Sequence, residues 1–319
     1  MNKLVGIILS TVFFFSLFLF SSNAFAARFK IALFAERDQK SLELAFTFAE
    51  IIRTAEPFRR MGNQLEIVVY HDTRGELQCF TGYLDIPNLL HCNSDFLERM
   101  QDVLGVNRMI AVTSRFPGAA GGSRPVLGNN PESGIVLHEL FHTFGLGDEY
   151  DYTTQEQFRA YCNPPSTNRS NTVLIRPFSF YSSNMAARSL HKNQIPWFSD
   201  IKPTTLIISG SKLGTTEGIF PPQDAGLYRG GECSKWVPTW KPYYNNTIMR
   251  SVVQAEIMPL HSKIVIDVMQ AEIGELISLK PMNSPDRDPR ISETRIRGGL
   301  SNPPNNARSD SEKRVNPAK

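Results

Sequence analysis

Residues His138 to Tyr150, His-Glu-Leu-Phe-His-Thr-Phe-Gly-Leu-Gly-Asp-Glu-Tyr, constrain this chain more than any other stretch. Two imidazoles stand four residues apart, with the Glu139 carboxylate beside the first. On a helix, positions i and i+4 lie one above the other on one face. Both rings can then reach a single metal ion without distorting the backbone. Glu139 points off that axis but stays close enough to hold a water. Such spacing serves zinc-dependent hydrolysis. The flanks read as a helix over residues 131–144. Asn130 suits its N-cap, Pro131 its first turn, and Gly145 the left-handed position that ends it. Val136, Leu137, Leu140, Phe141 and Phe144 cover the buried side and leave His138 and His142 on a separate stripe.

A catalytic zinc takes three protein ligands and keeps a fourth position for water. Gly145 makes the third ligand local, because positive φ lets the chain reverse and return towards the metal. The sixth residue after His142 is Asp148. Glu149, Glu156 and Glu217 are the other acids open to that role, and Glu149 is also suited to supporting a ligand from behind. A carboxylate ligand leaves the centre one charge less positive than three neutral imidazoles do. The bound water is then less acidic, and hydrolysis leans harder on Glu139 as general base.

Residues 1–26 have the parts of a secretory signal: Lys3, an apolar run over 4–20, and Ala24-Phe25-Ala26 as the cleavage site. No later segment is long and apolar enough to span a membrane, so the mature chain is expected to be periplasmic or secreted. The four cysteines fit that destination. An even count without a C-x-x-C pair reads as two disulfides rather than a thiolate metal site. Three pairings are possible; closeness in sequence favours Cys79 with Cys92, which leaves Cys162 with Cys233. The formal charge is only +3. Lys3 and the tail over 281–319 account for it, so the body carries no footprint for nucleic acid. The tail is rich in Pro, Asn, Ser and Arg and reads as disordered.

Apolar patterning places strands at 29–34, 64–70 and 109–113, and helices at 41–55 and 95–104. This β-α-β-α-β order predicts an α/β (α+β) fold, a twisted mixed sheet backed by helices. The 79–92 stretch is expected as a surface loop. Gly121 and Gly122 precede the metal helix. Their small size suits an edge strand on which extended substrate could pair, although an ordinary surface loop has the same composition. Beyond Tyr150 the chain is irregular, with Trp197, Trp236 and Trp240 as expected anchors of a C-terminal subdomain. A helix over 262–277 follows. The expected organisation is a leader at 1–26, an N-terminal lobe at 27–150, a C-terminal lobe at 151–280 and the tail.

The metal-helix segment, read with Asn246-Thr247-Ile248-Met249-Arg250-Ser251, resembles the IgA-peptidase family of metzincin-type zinc metallopeptidases. The likeness extends to Asp148-Glu149-Tyr150, to Gln194-Ile195-Pro196-Trp197, to Glu217-Gly218 and to Gly226-Leu227-Tyr228-Arg229. It covers roughly residues 108–277. The resemblance implies a metzincin-like zinc protease with one catalytic Zn2+. Asp148 then stands where most metzincins have a histidine, and Met249 becomes the methionine of a turn beneath the metal. A soft thioether suits packing under the ligand histidines without binding the ion, and a plain core methionine has the same signature. Phe141 departs from the family, which often has glycine before the second histidine, so the packing behind the helix must differ. The chain also lacks long accessory regions, so specificity for immunoglobulin does not carry over.

The expected activity is that of an exported zinc endopeptidase acting on protein or peptide substrates. His138, His142 and Asp148 hold the ion, and Glu139 takes a proton from water and passes it to the leaving amine. Tyr228, Tyr243, Tyr244 and Arg250 are candidates to steady the oxyanion. Two rival readings use the same residues. One is a zinc hydrolase acting on cell-wall peptides or amides. The other is a non-catalytic exported binding protein whose metal only stabilises the fold; structural zinc sites are usually closed by four protein ligands, and this motif offers three plus a base.

Overall fold

The sheet begins with a segment that is apolar on both faces, as a strand must be when helices cover both sides. This is β1 (Phe29–Ala35), in a computed structural model that describes residues 28–130, 132–163, 165, 169–278 and 292–294. The expected leader lies outside the described residues, as does the expected disordered tail except for 292–294. After β1 comes α1 (Gln39–Thr54), whose first turn is capped by Asp38 accepting from the Ser41 amide at 2.9 Å. A short helix α2 (Phe58–Met61) leads to β2 (Leu65–His71). The expected surface loop contains a small hairpin, β3 (Phe80–Thr81) and β4 (Leu90–His91), closed by the Cys79–Cys92 disulfide. Asn93 caps α3 (Ser94–Leu104), and Gly105 ends it at φ +57°. Next come β5 (Arg108–Val112), β6 (Ala119–Ala120) and β7 (Val126–Leu127).

The order across the sheet is β13-β2-β1-β5-β7-β6, with β13 (Ser292–Thr294) antiparallel on β2. β2, β1, β5 and β7 run parallel, and β6 closes the other edge antiparallel to β7. The sheet is therefore mixed. From β1 the chain steps first to β2 and then across to β5. Right-handed crossovers in opposite directions put α1 and α3 on opposite faces. Ile31, Leu33 and Phe48 of α1 share one core, while Ala32, Phe34, Phe96 and Met100 share the other. Strands β1, β2 and β5 and helices α1 and α3 each fall within two residues of their sequence-based bounds.

The metal helix is α4 (Ser133–His142), shorter than the expected 131–144. Glu132, not Asn130, occupies the N-cap and makes no side-chain cap bond. Asn130 accepts instead from the Glu132 amide at 3.2 Å, which makes a turn before the helix rather than a cap on it. An aromatic cluster seats α4 on the first core. Phe58 lies 6.1 Å from Phe141 and 5.9 Å from Phe144, and Phe144 stacks on Phe29 at 5.7 Å. The bulk of Phe141 is accommodated here, with the side chain fully buried.

Beyond α4 the regular elements shrink. α5 (Gln155–Tyr161) opens with a Thr154/Gln157 capping box and is followed by the Cys162–Cys233 disulfide. β8 (Val173–Leu174), α6 (Asn184–His191), β9 (Ile208–Ser209), β10 (Lys212–Leu213), β11 (Tyr228–Arg229) and β12 (Thr239–Lys241) complete this region, with β11-β12-β8 as a small sheet. Trp197 and Trp240 are buried in its core, and each indole N–H donates to a backbone carbonyl, of Gly226 and Ile175 respectively. Trp236 is only partly buried, against Phe158 at 4.8 Å. The last helix, α7 (Pro259–Ser278), begins three residues before the expected 262 and returns Val265, Met269 and Ile273 to the first core of the sheet. Among the described residues no helix is long and apolar enough to cross a membrane.

Candidate metal centre

Each histidine of α4 is oriented by a backbone carbonyl from outside the helix. His138 Nδ1 lies 2.8 Å from the Ile248 carbonyl, and His142 Nδ1 lies 2.9 Å from that of Leu146. A carbonyl only accepts, so both Nδ1 atoms carry the proton and both Nε2 atoms of the neutral rings present a bare lone pair. The rings stand 4.9 Å apart at 88°. His138, Glu139 and His142 form a group that could hold a metal ion, with possible ligand atoms all within 4.8 Å of one another.

Two carboxylates flank the pair. Glu139 Oε2 is 3.9 Å from His142 Nε2. Asp148 Oδ1 is closer, 3.1 Å from His138 Nε2 and 3.3 Å from His142 Nε2. This oxygen is buried and has no hydrogen-bond partner among the described residues. Two imidazole nitrogens and a carboxylate oxygen therefore converge on one point, where a proton or a metal ion could sit between them. Tetrahedral zinc with bonds of about 2.0–2.2 Å sets its ligands about 3.3–3.5 Å apart, close to the separations found here. The donor set fits such an ion. Proton and metal compete for the same spot. Burial opposes a charge on His142, but the Asp148 carboxylate and Glu139 outweigh it and lift the pKa to about 9. Burial likewise opposes a charge on His138, and Asp148 and Glu139 again hold its pKa above the ordinary value. Burial alone would push Asp148 up; the two imidazoles hold it far below the usual carboxylate range. For Glu139 burial dominates and raises the pKa, only partly offset by the histidines.

The turn after α4 brings Asp148 back as Gly145 permits, with φ at +83°. The ligand loop is then fixed from several directions. Gly147 exchanges hydrogen bonds with the Asn171 side chain, donating at 2.6 Å and accepting at 2.9 Å. A Cβ on Gly147 would meet Glu232 Oε1 at 2.2 Å, so a larger residue there would have to displace the Glu232 side chain. The Glu232 amide donates to the Asp148 carbonyl at 3.1 Å, and the Tyr152 hydroxyl donates to Asp148 Oδ2 at 2.6 Å.

Glu149 is not placed as a ligand. Its carboxylate is fully buried, accepting from His261 Nε2 at 2.8 Å, Asn171 at 2.9 Å and the Thr247 hydroxyl at 2.8 Å. Its amide donates to the Met249 carbonyl at 2.7 Å, and its carbonyl accepts from the buried Lys241 ammonium at 2.6 Å. Burial pushes this carboxyl up, but His261 and the hydrogen bonds bring it below its ordinary value. Glu156 sits on α5 paired with Arg159, and Glu217 is exposed; neither joins the centre. The Met249 side chain is fully buried in the core that also holds Leu137 and Phe141, and Ile248 beside it supplies the carbonyl that orients His138.

Gly121 follows the edge strand β6 and packs directly on the centre. A Cβ there would lie 2.2 Å from His142 Cδ2 and 2.9 Å from Glu139 Oε2. Gly122 turns away at φ +113° with open space around it. Cys79, Cys92, Cys162 and Cys233 are paired as closeness in sequence suggested. Three of the four groups considered for the oxyanion are otherwise engaged or enclosed. The Tyr243 hydroxyl accepts from the Leu260 amide at 3.2 Å, Arg250 donates to the Tyr244 and Asn245 carbonyls, and Tyr228 is almost wholly buried.

Sequence reasoning missed Tyr150. Its ring lies nearly parallel to that of His138, centroids 6.1 Å apart, and stays 37% exposed, which leaves it reachable from solvent. Burial, Asp148 and Glu139 together raise its pKa. A signal was present: Tyr150 directly follows the Asp148-Glu149 pair already singled out. Glu232 had no such signal. No protein-family model matches this chain, and none of the curated proteins is significantly similar to it.

Proposed function

We propose that this protein is an exported zinc-dependent endopeptidase, with His138, His142 and Asp148 as ligands and Glu139 as general base. One observation carries the reading: the unpartnered, buried Asp148 oxygen held against two bare imidazole nitrogens, with a second carboxylate alongside. A fully protein-ligated structural site would leave no role for that second acid. Zinc bound there would polarise a scissile carbonyl and acidify water.

The chain's own groups then have separate tasks. Glu139, its pKa raised by burial, is suited to take a proton from water and return it to the departing amine. Tyr152 and the Glu232 amide hold Asp148 in place from the far side. Tyr150, reachable beside His138, takes the oxyanion-stabilising role in place of Tyr228, Tyr243 and Arg250. Extended substrate lies along β6, where the absence of a side chain at Gly121 lets a peptide backbone approach the centre. The two disulfides support an oxidising, exported destination.

The test compares the mature wild type with Glu139→Gln for bound metal and for digestion of an unfolded protein mixture. Wild type is expected to hold stoichiometric zinc and to cleave; the variant keeps the metal and loses about 10²–10⁴-fold in rate. Equal cleavage by both, or a wild type without zinc, sinks the reading. Cleavage of peptidoglycan peptides with no cleavage of protein transfers the site to the cell-wall alternative.

A further inference from the structure

The Cys79–Cys92 loop carries Phe80, Tyr83 and Leu84, which are 45%, 37% and 46% exposed. They are adjacent and ordered. Tyr83 stacks on His91 with ring centroids 4.0 Å apart at 11°, and Phe80 stands edge-on to His91 at 5.4 Å. Leu84 and Asp85 hold positive φ, at 53° and 61°, a conformation that costs a non-glycine residue free energy and persists only where the surroundings impose it. The disulfide and the β3–β4 pairing close the loop on either side of these two residues.

The loop reaches both flanks of the metal centre. On one side β4 packs on β6 and β7, and the Asn88 carbonyl would lie 3.4 Å from a Cβ on Gly118, just before the edge strand. On the other side the turn at Tyr83–Asp85 packs on α5. From α5, the half-buried Tyr161 is within electrostatic reach of Asp148, Glu139 and Tyr83. The loop that carries the apolar side chains thus packs on the edge-strand side through β4 and on α5 through the Tyr83–Asp85 turn. Solvent-exposed apolar clusters beside a candidate site mark binding surface. A wall already ordered by a disulfide loses little conformational entropy when a ligand docks.

We propose that Phe80, Tyr83 and Leu84 form a substrate subsite that selects a bulky apolar side chain on a peptide lying along β6. The inference rests on the peptidase reading. Its occupant is the substrate, because the loop packs through β4 on the edge strand β6, where the proposed peptide lies. The test maps cleavage sites in a protein digest for wild type and for Phe80→Ser/Tyr83→Ser, and measures kcat/KM on paired peptides carrying Phe or Ala. Wild type is expected to cut near aromatic or large aliphatic residues. The double variant loses that enrichment, with the Phe peptide falling about 10- to 100-fold and the Ala peptide unchanged. Equal metal content and melting temperature confirm that the variant is folded; Phe80→Ser alone, a milder change, is expected to show a smaller fall on the Phe peptide. A wild type that cuts without apolar preference, or variants that keep the preference, overturns the subsite alone. A wild type that cuts no peptide overturns the peptidase reading and the subsite together.

Discussion

Residues 28–144 and residues 145–258 build the candidate metal centre by different physics. The first region is a sheet with long parallel strands buried on both faces and helices packed by apolar side chains. Its two histidines sit on a helix whose orientation follows from the burial of Val136, Leu140 and Phe141. The second region has strands of two or three residues. Irregular chain has no repeating ladder to satisfy its backbone, so each buried polar group needs an individual partner. Glu149 meets that need for the ligand loop by joining His261, Asn171, Thr247 and the Met249 carbonyl at one point. Periodic packing can aim two ligands. Placing the third requires a polar network.

If that contrast holds, a polar deletion in the second region should damage the metal centre, whereas an apolar deletion in the first should only lower stability. The largest effect is expected from Glu149→Ala, which leaves a fully buried His261 without its partner. It should cost about 3–5 kcal/mol and weaken zinc binding, read by denaturant unfolding and metal titration. Unchanged zinc affinity would mean that Asp148 is held without the network.

Next comes the Cys162–Cys233 bridge, which closes a sequence separation of 71 and sits one residue beyond Glu232. Replacing both cysteines with serine should cost about 4 kcal/mol and lower zinc affinity. The same change at Cys79 and Cys92, across a separation of 13, should cost about 3 kcal/mol and leave zinc affinity alone. Equal effects on the metal would erase the difference between the two loops.

Glu232 gives a pH signature. Burial, opposed by Arg169, raises its pKa from 4.5 to about 7. Its folded value exceeds its unfolded one, so the stability it contributes is complete below about pH 4.5 and is lost as pH rises through about 7. Over that window wild type should lose on the order of 3 kcal/mol relative to Glu232→Gln. Parallel melting curves for the two proteins across pH 4.5–7 would rule this out. The smallest effect is expected in the sheet. Ile31→Val, at a fully buried position, should cost about 1 kcal/mol with zinc affinity intact. A loss of metal from so remote a change would show the two regions to be coupled throughout.

Legibility divides along the same line. Strands β1, β2 and β5 and helices α1 and α3 could be read because burial imprints a period on the sequence. His138, Glu139 and His142 could be read because one helix carries all three, and Asp148 because Gly145 makes a local reversal. The helix start was misjudged at Asn130, where a turn used the side chain that a cap was expected to use. Nothing in the pattern exposed the partners of Glu149. His261 lies 112 residues away, Thr247 98 and Lys241 92.

By itself, the sequence determined the local part of this protein: the alternation of strands and helices, the paired imidazoles, the neighbouring base and the turn that returns an acid. Those features depend on interactions within a few residues, where backbone geometry converts spacing directly into direction. The tertiary structure alone decided which distant partners lock Glu149 in place behind the histidines. It also placed Tyr150 and Gly121 beside the centre and stretched an aromatic loop between the edge strand and α5. These outcomes turn on contacts between distant segments, and single residues with no repeating pattern make them.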